Sequence, residues 1–81
     1  KTEYMFLTNL RTAGTDTISH TVTSDDTDAK ITPIFNFCPD ERDSTNGYLR
    51  VSLWKIVSKP NSTISFSATG NYSAWRYCRM Y

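Results

Sequence analysis

The sequence has few of the residues that punctuate or cross-link a chain: three glycines, three prolines, two cysteines and one histidine among 81 residues. The low glycine and proline content excludes a collagen-like chain and a flexible linker. No apolar run approaches the ~18 residues that indicate a transmembrane helix. One histidine and two cysteines provide no zinc-binding cluster, and we expect no metal or cofactor. The length allows one small domain covering residues 1–81.

The sequence is rich in β-branched and aromatic residues, including eleven Phe, Trp and Tyr. These residues favour strands, and apolar and polar side chains alternate repeatedly with a period of two. No helical pattern occurs. The strands predicted from this alternation cover residues 3–10, 17–23, 30–38, 48–58, 62–69 and 72–80. We therefore predict an all-β fold, a small antiparallel β-sandwich or barrel of about six strands.

Two turn signals in the last third of the chain predict a three-stranded C-terminal meander. Lys59-Pro60-Asn61-Ser62 places a proline at the second position of a turn, and Gly70-Asn71 indicates a two-residue hairpin loop. The resulting register predicts one core face, formed by Leu49, Val51, Leu53, Val57, Ile64, Phe66, Ala68, Trp75 and Tyr77. Lys55 is the single exception on that face.

Cys38 and Cys78 are compatible with one disulfide bond. Such a bond would stabilise a domain of this size by roughly 4 kcal/mol. Abundant serine and threonine, scarce lysine and the paired cysteines together predict a secreted, extracellular protein. The chain begins at Lys1 without an apolar leader, so we expect the mature or trimmed form.

The charges are distributed unevenly along the chain. Residues 1–43 contain eight acids and four bases, whereas residues 44–81 contain five bases and no acid, which gives −4 and +5. This asymmetry predicts either an anion-binding face or two halves that attract each other in the folded protein.

In the predicted meander, Trp54 and Tyr72 share a face with Arg50 and Arg76. An exposed indole can stack on a sugar ring, and arginines can hold a carboxylate, sulfate or phosphate. This group is the predicted ligand-binding site, for a carbohydrate or an anionic surface. The alternative is that Trp54 packs beneath a loop or a second sheet.

Other motifs carry weaker signals. The tail of residues 75–81 alternates aromatic and basic side chains, but the small net charge argues against nucleic acid as a partner. Asp25, Asp26 and Asp28 lack the pattern of a calcium loop and indicate a solvated turn. His20, between Ile18 and Val22, is expected to be partly buried and hydrogen-bonded. No nucleophile motif is present, so we do not expect an enzyme.

Asn61-Ser62-Thr63 and Asn71-Tyr72-Ser73 are both N-glycosylation sequons. Asn61 and Asn71 fall at predicted turn tips, where a glycan is accepted. They are candidate glycosylation sites if the source is eukaryotic.

The stretch from Ile64-Ser65-Phe66 through Gly70-Asn71-Tyr72 to Ala74-Trp75, with the terminal Tyr81, resembles small secreted bacteriocins of the lactococcin 972 family. The resemblance implies a secreted β-sandwich that acts on a cell-envelope target. It assigns no functional residue.

Three functions remain open at this stage. The first is a secreted, non-catalytic binding module for a carbohydrate or an anionic surface. The second is a bacteriocin-like or inhibitory effector with an envelope or protein partner. The third is a structural subunit that assembles by edge-strand pairing.

Overall fold

The computed structural model describes residues 1–10, 18–40, 49–70 and 75–81, which form six β-strands. In chain order the strands are β1 (Thr2–Leu10), β2 (Ser19–Ser24), β3 (Lys30–Asp40), β4 (Leu49–Val57), β5 (Ile64–Thr69) and β6 (Arg76–Met80). The all-β prediction is confirmed for this part of the chain, and each observed strand overlaps a predicted one.

The strands form two antiparallel sheets. One has four strands in the order β3-β4-β1-β6, and the other has two strands, β2 and β5. The core lies between the sheets, because buried side chains from both of them form one apolar cluster: Met5, Leu7, Val22, Trp54, Ile56 and Ile64. Strand β1 alternates buried and half-buried residues along most of its length, as expected for a strand with one face on the core.

The predicted C-terminal meander is wrong. Strand β4 pairs with β1 and β3, β5 pairs with β2, and β6 pairs with β1. The turn at Pro60 and Asn61 exists, but it carries the chain from the larger sheet to the smaller one rather than forming a hairpin. Each sheet has an apolar face that needs the other sheet as cover, which favours such crossings over a flat meander.

The face of β4 that packs on the core is opposite to the face predicted from the sequence. Its buried residues are Ser52, Trp54 and Ile56. The predicted core residues of this strand are half-buried or exposed: Leu49, Val51, Leu53 and Val57. The prediction placed β4 by pairing it with β5, a pairing that does not form. Lys55, the exception on the predicted core face, is exposed because it belongs to the outer face.

The two-stranded sheet has the faces that the sequence predicts. His20 and Val22 on β2 are buried, and Ile64 on β5 is buried opposite Ser24. The other face pairs hydroxyl residues across the strands: Ser19 with Thr69, Thr21 with Ser67, and Thr23 with Ser65. No described element packs on this face, so its hydroxyl groups can form hydrogen bonds with solvent.

The predicted Cys38–Cys78 disulfide is also wrong, because both cysteines are free. Cys38 is on β3 and Cys78 is on β6, which are the two edge strands of the four-stranded sheet. Three strand spacings of about 4.8 Å separate these edges by roughly 14 Å. A disulfide requires Cα atoms within about 7 Å. Secretion therefore loses the support of this bond and remains a prediction.

Candidate interaction surfaces

Trp54, predicted as an exposed stacking platform, is only 8% exposed. Its indole Nε1 donates a hydrogen bond to Ser52 Oγ at 2.8 Å. Its strand neighbours are Met5 on β1 and Pro33 on β3. The alternative interpretation is the correct one, because the indole lies in the core beneath the second sheet.

The structure does not bring the two predicted arginines together. Arg50 is opposite Asn9, and Arg76 is opposite Thr8. Asn9 and Thr8 are consecutive in β1, so their side chains and those of their partners point to opposite faces of the sheet. The predicted common face of the two guanidinium groups is therefore wrong, and ligand binding by either residue remains a prediction. Tyr72, the fourth member of that group, lies outside the described residues.

His20 is the centre of a buried hydrogen-bonded chain, as its position between apolar residues predicted. Its Nδ1 is 2.7 Å from Ser52 Oγ, and its Nε2 is 2.8 Å from Asn9 Oδ1. Because an amide oxygen can only accept, Nε2 carries the proton and Nδ1 accepts from the Ser52 hydroxyl. The Trp54 indole N–H donates to one of the two acceptor lone pairs of that hydroxyl.

The environment of this hydrogen-bonded series keeps His20 neutral and makes Ser52 inaccessible to a substrate. Burial, and after it the charge of Arg50, lower the pKa of His20 from 6.5 to about 4, so the ring is neutral at pH 7. The Ser52 hydroxyl contacts a neutral imidazole, which is the arrangement of a nucleophile with its base. Ser52 is nevertheless fully buried, at 0% exposed, and no substrate carbonyl can reach it.

Arg50, the cross-strand neighbour of Asn9, is incompletely paired. Its Nη1 donates to Cys38 Sγ at 3.5 Å, and its buried Nε has no hydrogen-bond partner among the described residues. The side-chain oxygen of Asn36, on the adjacent strand, is likewise buried and unpartnered. Arg50 is thus a half-buried cation on the inner face of the sheet.

Two ion pairs among the described residues join the acidic first part of the chain to its basic second part. Arg79 Nε and Nη2 donate to the two carboxylate oxygens of Glu3 at 2.9 and 3.2 Å, and Glu3 is 1% exposed. Lys59 Nζ lies 3.8 Å from Asp26. These contacts support the interpretation in which the two halves attract each other, and this attachment fastens β6 to β1.

Asp26 connects two turns. Its carboxylate accepts the backbone N–H of Lys59 at 2.9 Å and that of Asp28 at 3.0 Å. These hydrogen bonds, that from Lys59 foremost, lower the pKa of Asp26. An open depression of about 340 Å³ beside it is lined by Asp25, Asp26, Lys59, Pro60, Asn61 and Ser62. No metal-binding group of three or more His, Cys, Asp or Glu side chains occurs in the described ranges.

The outer face of the four-stranded sheet is apolar, and no described strand packs on it. By strand register it contains Tyr4, Phe6, Leu10, Phe35, Phe37, Leu49, Val51, Leu53, Val57, Cys78 and Met80. Phe35 makes edge-to-face contacts with Phe6 and Phe37, at centroid distances of 6.2 and 5.6 Å. Among the side chains described on this face the charged ones are all cationic: Lys30, Lys55 and Arg76.

The two edges of this sheet differ in their protection against a further strand. Strand β3 contains Pro33, which has no N–H to donate, and its register with β4 shifts twice. Proline and bulges are the usual means by which natural edge strands avoid unwanted pairing. Strand β6 has no proline, keeps a continuous register with β1, and exposes all five of its residues.

Of the two glycosylation candidates, the structure describes only Asn61. It is exposed, at the turn between β4 and β5, with a left-handed backbone φ of 69°. Its position at a turn tip is confirmed, and its glycosylation remains a prediction. Asn71 lies outside the described residues.

Comparisons with protein-family models, curated proteins and solved structures gave no significant match for this chain. No helix in the described part of the chain is long and apolar enough to cross a membrane.

Proposed function

We propose that this chain is a non-catalytic assembly module that accepts a β-strand from another protein molecule along β6. The incoming strand extends the four-stranded sheet, and its backbone supplies the hydrogen bonds. Such strand addition obtains affinity from the main chain and specificity from alternate side chains.

The observation that carries this proposal is the difference between the two sheet edges. Strand β3 is interrupted by Pro33 and by two register shifts, whereas β6 is regular and fully exposed. Among the described strands β6 pairs only with β1. In the four-stranded sheet, β6 is therefore the edge at which a further strand can add.

Strand β6 is also held firmly enough to act as a template. The bidentate contact between Arg79 and Glu3 fixes its C-terminal half on β1. Thr8 Oγ1 donates to the Arg76 carbonyl oxygen at 3.2 Å and fixes its other end. Little backbone ordering is then left for the binding step, which lowers its entropic cost.

The test uses a synthetic peptide of residues 75–81 with serine in place of Cys78, added to the full chain. We expect slowed hydrogen exchange at the amides of Arg76–Met80, with no change along Lys30–Asp40. The matched control is the same peptide with N-methylated backbone amides, which keeps the side chains and loses the donors. Equal protection by both peptides, or none at β6, would contradict the proposal.

Binding of an anionic surface is a second candidate, with its site moved to the outer face of the larger sheet. The supporting observation is that Lys30, Lys55 and Arg76 lie among apolar side chains there, without a described carboxylate. Basic and apolar groups on one face suit an anionic lipid surface.

Co-sedimentation with phosphatidylserine-containing vesicles tests this candidate. Lys55→Glu should weaken binding severalfold, since each basic residue near such a surface contributes about 1 kcal/mol. Lys59→Glu, at the exposed turn away from that face, is the control and should bind more strongly than Lys55→Glu. Equal binding by the two variants, or no binding by the parent chain, argues against this candidate. Carbohydrate binding and bacteriocin-like action remain predictions without an assigned site.

A further inference from the structure

We infer that the strand added to β6 is β6 of a second copy of this chain, paired antiparallel about a twofold axis at Cys78. This inference rests on the proposed strand addition at β6 and names its partner. Strand β6 runs from Arg76 to Met80, so Cys78 is its central residue. A twofold axis perpendicular to the sheet at that point joins two four-stranded sheets into one of eight strands.

The side chains of β6 are self-complementary in this register. Arg76 lies opposite Met80 of the second copy, and Tyr77 lies opposite its Arg79, so no like charges face each other directly. Arg76 and Arg79 also point to opposite faces, because their partners on β1 are Thr8 and Met5.

The positive charge of β6 does not prevent this association. The Arg79 guanidinium is already neutralised by the buried carboxylate of Glu3. Tyr77, which is 58% exposed, presents its ring to the Arg79 side chain of the second copy, where a cation–π contact is favourable. Arg76 faces a methionine. A slip by one residue that pairs Arg76 with Arg79 of the second copy would place two arginines opposite each other, so charge disfavours that register.

Cys78 reports on this arrangement because it is exposed and free. Directly opposite residues of an antiparallel pair have Cα atoms about 4.5 or 5.5 Å apart, which is within the range of a disulfide. Cys38 is half-buried on the other edge strand and is the internal control. Five paired residues make a small contact, so the non-covalent dimer is weak, and the bond between the two Cys78 side chains captures it.

The bond forms by thiol–disulfide exchange with oxidised glutathione. A Cys78 thiolate attacks the glutathione disulfide and releases one glutathione thiolate, leaving a mixed disulfide. The Cys78 thiolate of the second copy then attacks the protein sulfur of that mixed disulfide and releases the second glutathione. Two protein thiols are oxidised and one glutathione disulfide is reduced, and the two protons lost by the protein thiols are taken up, through solvent, by the two glutathione thiolates.

The experiment oxidises the full chain with glutathione disulfide and maps the cross-links by mass spectrometry. We expect a dimer joined through Cys78 on both sides, formed equally well by Cys38→Ser and not by Cys78→Ser. Monomer only, or cross-links that involve Cys38 as often as Cys78, would overturn the inference.

A second pair of variants tests the register without the disulfide. In a Cys78→Ser background, Tyr77→Arg places an arginine opposite Arg79 twice by symmetry, whereas Tyr77→Glu places a carboxylate there. Both variants lose the same contact with Phe66. In sedimentation equilibrium, the dissociation constant of the arginine variant should exceed that of the glutamate variant roughly tenfold.

Equal constants for the two variants would overturn the symmetric register. The two experiments distinguish a failure of self-association from a failure of the proposed function. If the peptide of residues 75–81 protects β6 while the full chain remains monomeric, strand addition holds and the second copy is ruled out. If the peptide does not protect β6 either, both proposals fall.

Discussion

On the four-stranded sheet, burial does not follow polarity: the inner face buries several polar residues, and the outer face leaves many apolar residues partly exposed. The inner face buries a glutamate, an asparagine and a serine alongside its apolar residues: Glu3, Asn9 and Ser52. The outer face carries phenylalanines, leucines and valines that no described strand covers. Burial in this protein is thus decided by which face the second sheet covers and not by how apolar the face is.

The inner face tolerates polar groups because most of them have a partner. Glu3 receives two hydrogen bonds from Arg79, and Ser52, His20 and Asn9 satisfy one another in series. A buried polar group costs little once its hydrogen bonds are made, and it fixes the relative position of the two sheets. No comparable network is found on the outer face among the described residues, and its apolar side chains there are open to contact.

The largest expected difference between the faces comes from two residues of the same strand. Ile56 on the inner side is 0% exposed, whereas Leu53 on the outer side is half-buried. Ile56→Ala should lower the free energy of unfolding by about 2–5 kcal/mol, because it leaves a cavity between the sheets. Leu53→Ala should cost about 1 kcal/mol, since its neighbours and solvent can fill the space.

Urea denaturation followed by circular dichroism measures both variants. Losses of similar size would mean that the outer face is covered as well as the inner one. The comparison between the faces would then be wrong.

Features that depend on local sequence were predicted correctly, whereas features that depend on contacts between distant residues were not. Alternation with a period of two is a local property, and it located all six strands and the buried position of His20. The pairing of those strands depends on contacts between residues distant in sequence, and nothing local distinguishes a hairpin at Pro60 from a crossing between sheets. The face of β4 was inferred from the assumed pairing and failed with it, whereas the disulfide was inferred from the presence of two cysteines, which says nothing about the distance between them.

One signal against the assumed pairing was present in the sequence. Lys55 did not fit the predicted core face of β4, whereas Ser52 is small enough to fit the opposite face as a core position. The features that support assembly had no such signal. The regular edge of β6 and the interrupted edge of β3 are recognisable only once β1 is known to be central in the sheet.

The second expected effect is a loss of stability in acid that comes from the inner face. The folded state keeps His20 neutral down to pH 4, whereas the unfolded chain binds a proton near pH 6.5. The unfolded state therefore holds more protons between these values, and stability falls as the pH decreases through this window. The full contribution is present above pH 6.5, and roughly 3 kcal/mol is lost by pH 4.

Denaturation curves between pH 7 and pH 4 for the parent chain and for His20→Gln isolate this contribution. The variant cannot titrate at this position, so its stability should depend less steeply on pH, whatever its absolute stability. Carboxylates such as Asp26 titrate in both proteins and cancel in the difference. Identical slopes would show that the buried imidazole is not what weakens the protein in acid.

The smallest expected effect on stability belongs to the outer face. Phe37 is 47% exposed and makes a ring contact with Phe35, whereas Phe66 on β5 packs against Trp75 and Tyr77 with ring centroids at 4.7 and 5.0 Å. Phe37→Ser should change the free energy of unfolding by less than about 1 kcal/mol, and Phe66→Ser by roughly 3 kcal/mol. Phe37→Ser should still reduce the binding of a hydrophobic dye to the native protein, because it removes exposed apolar surface.

If Phe37→Ser instead destabilises as much as Phe66→Ser, then part of the chain covers the outer face. An anionic surface would then have no access to the three cations there, while β6 would remain open to a strand along its edge.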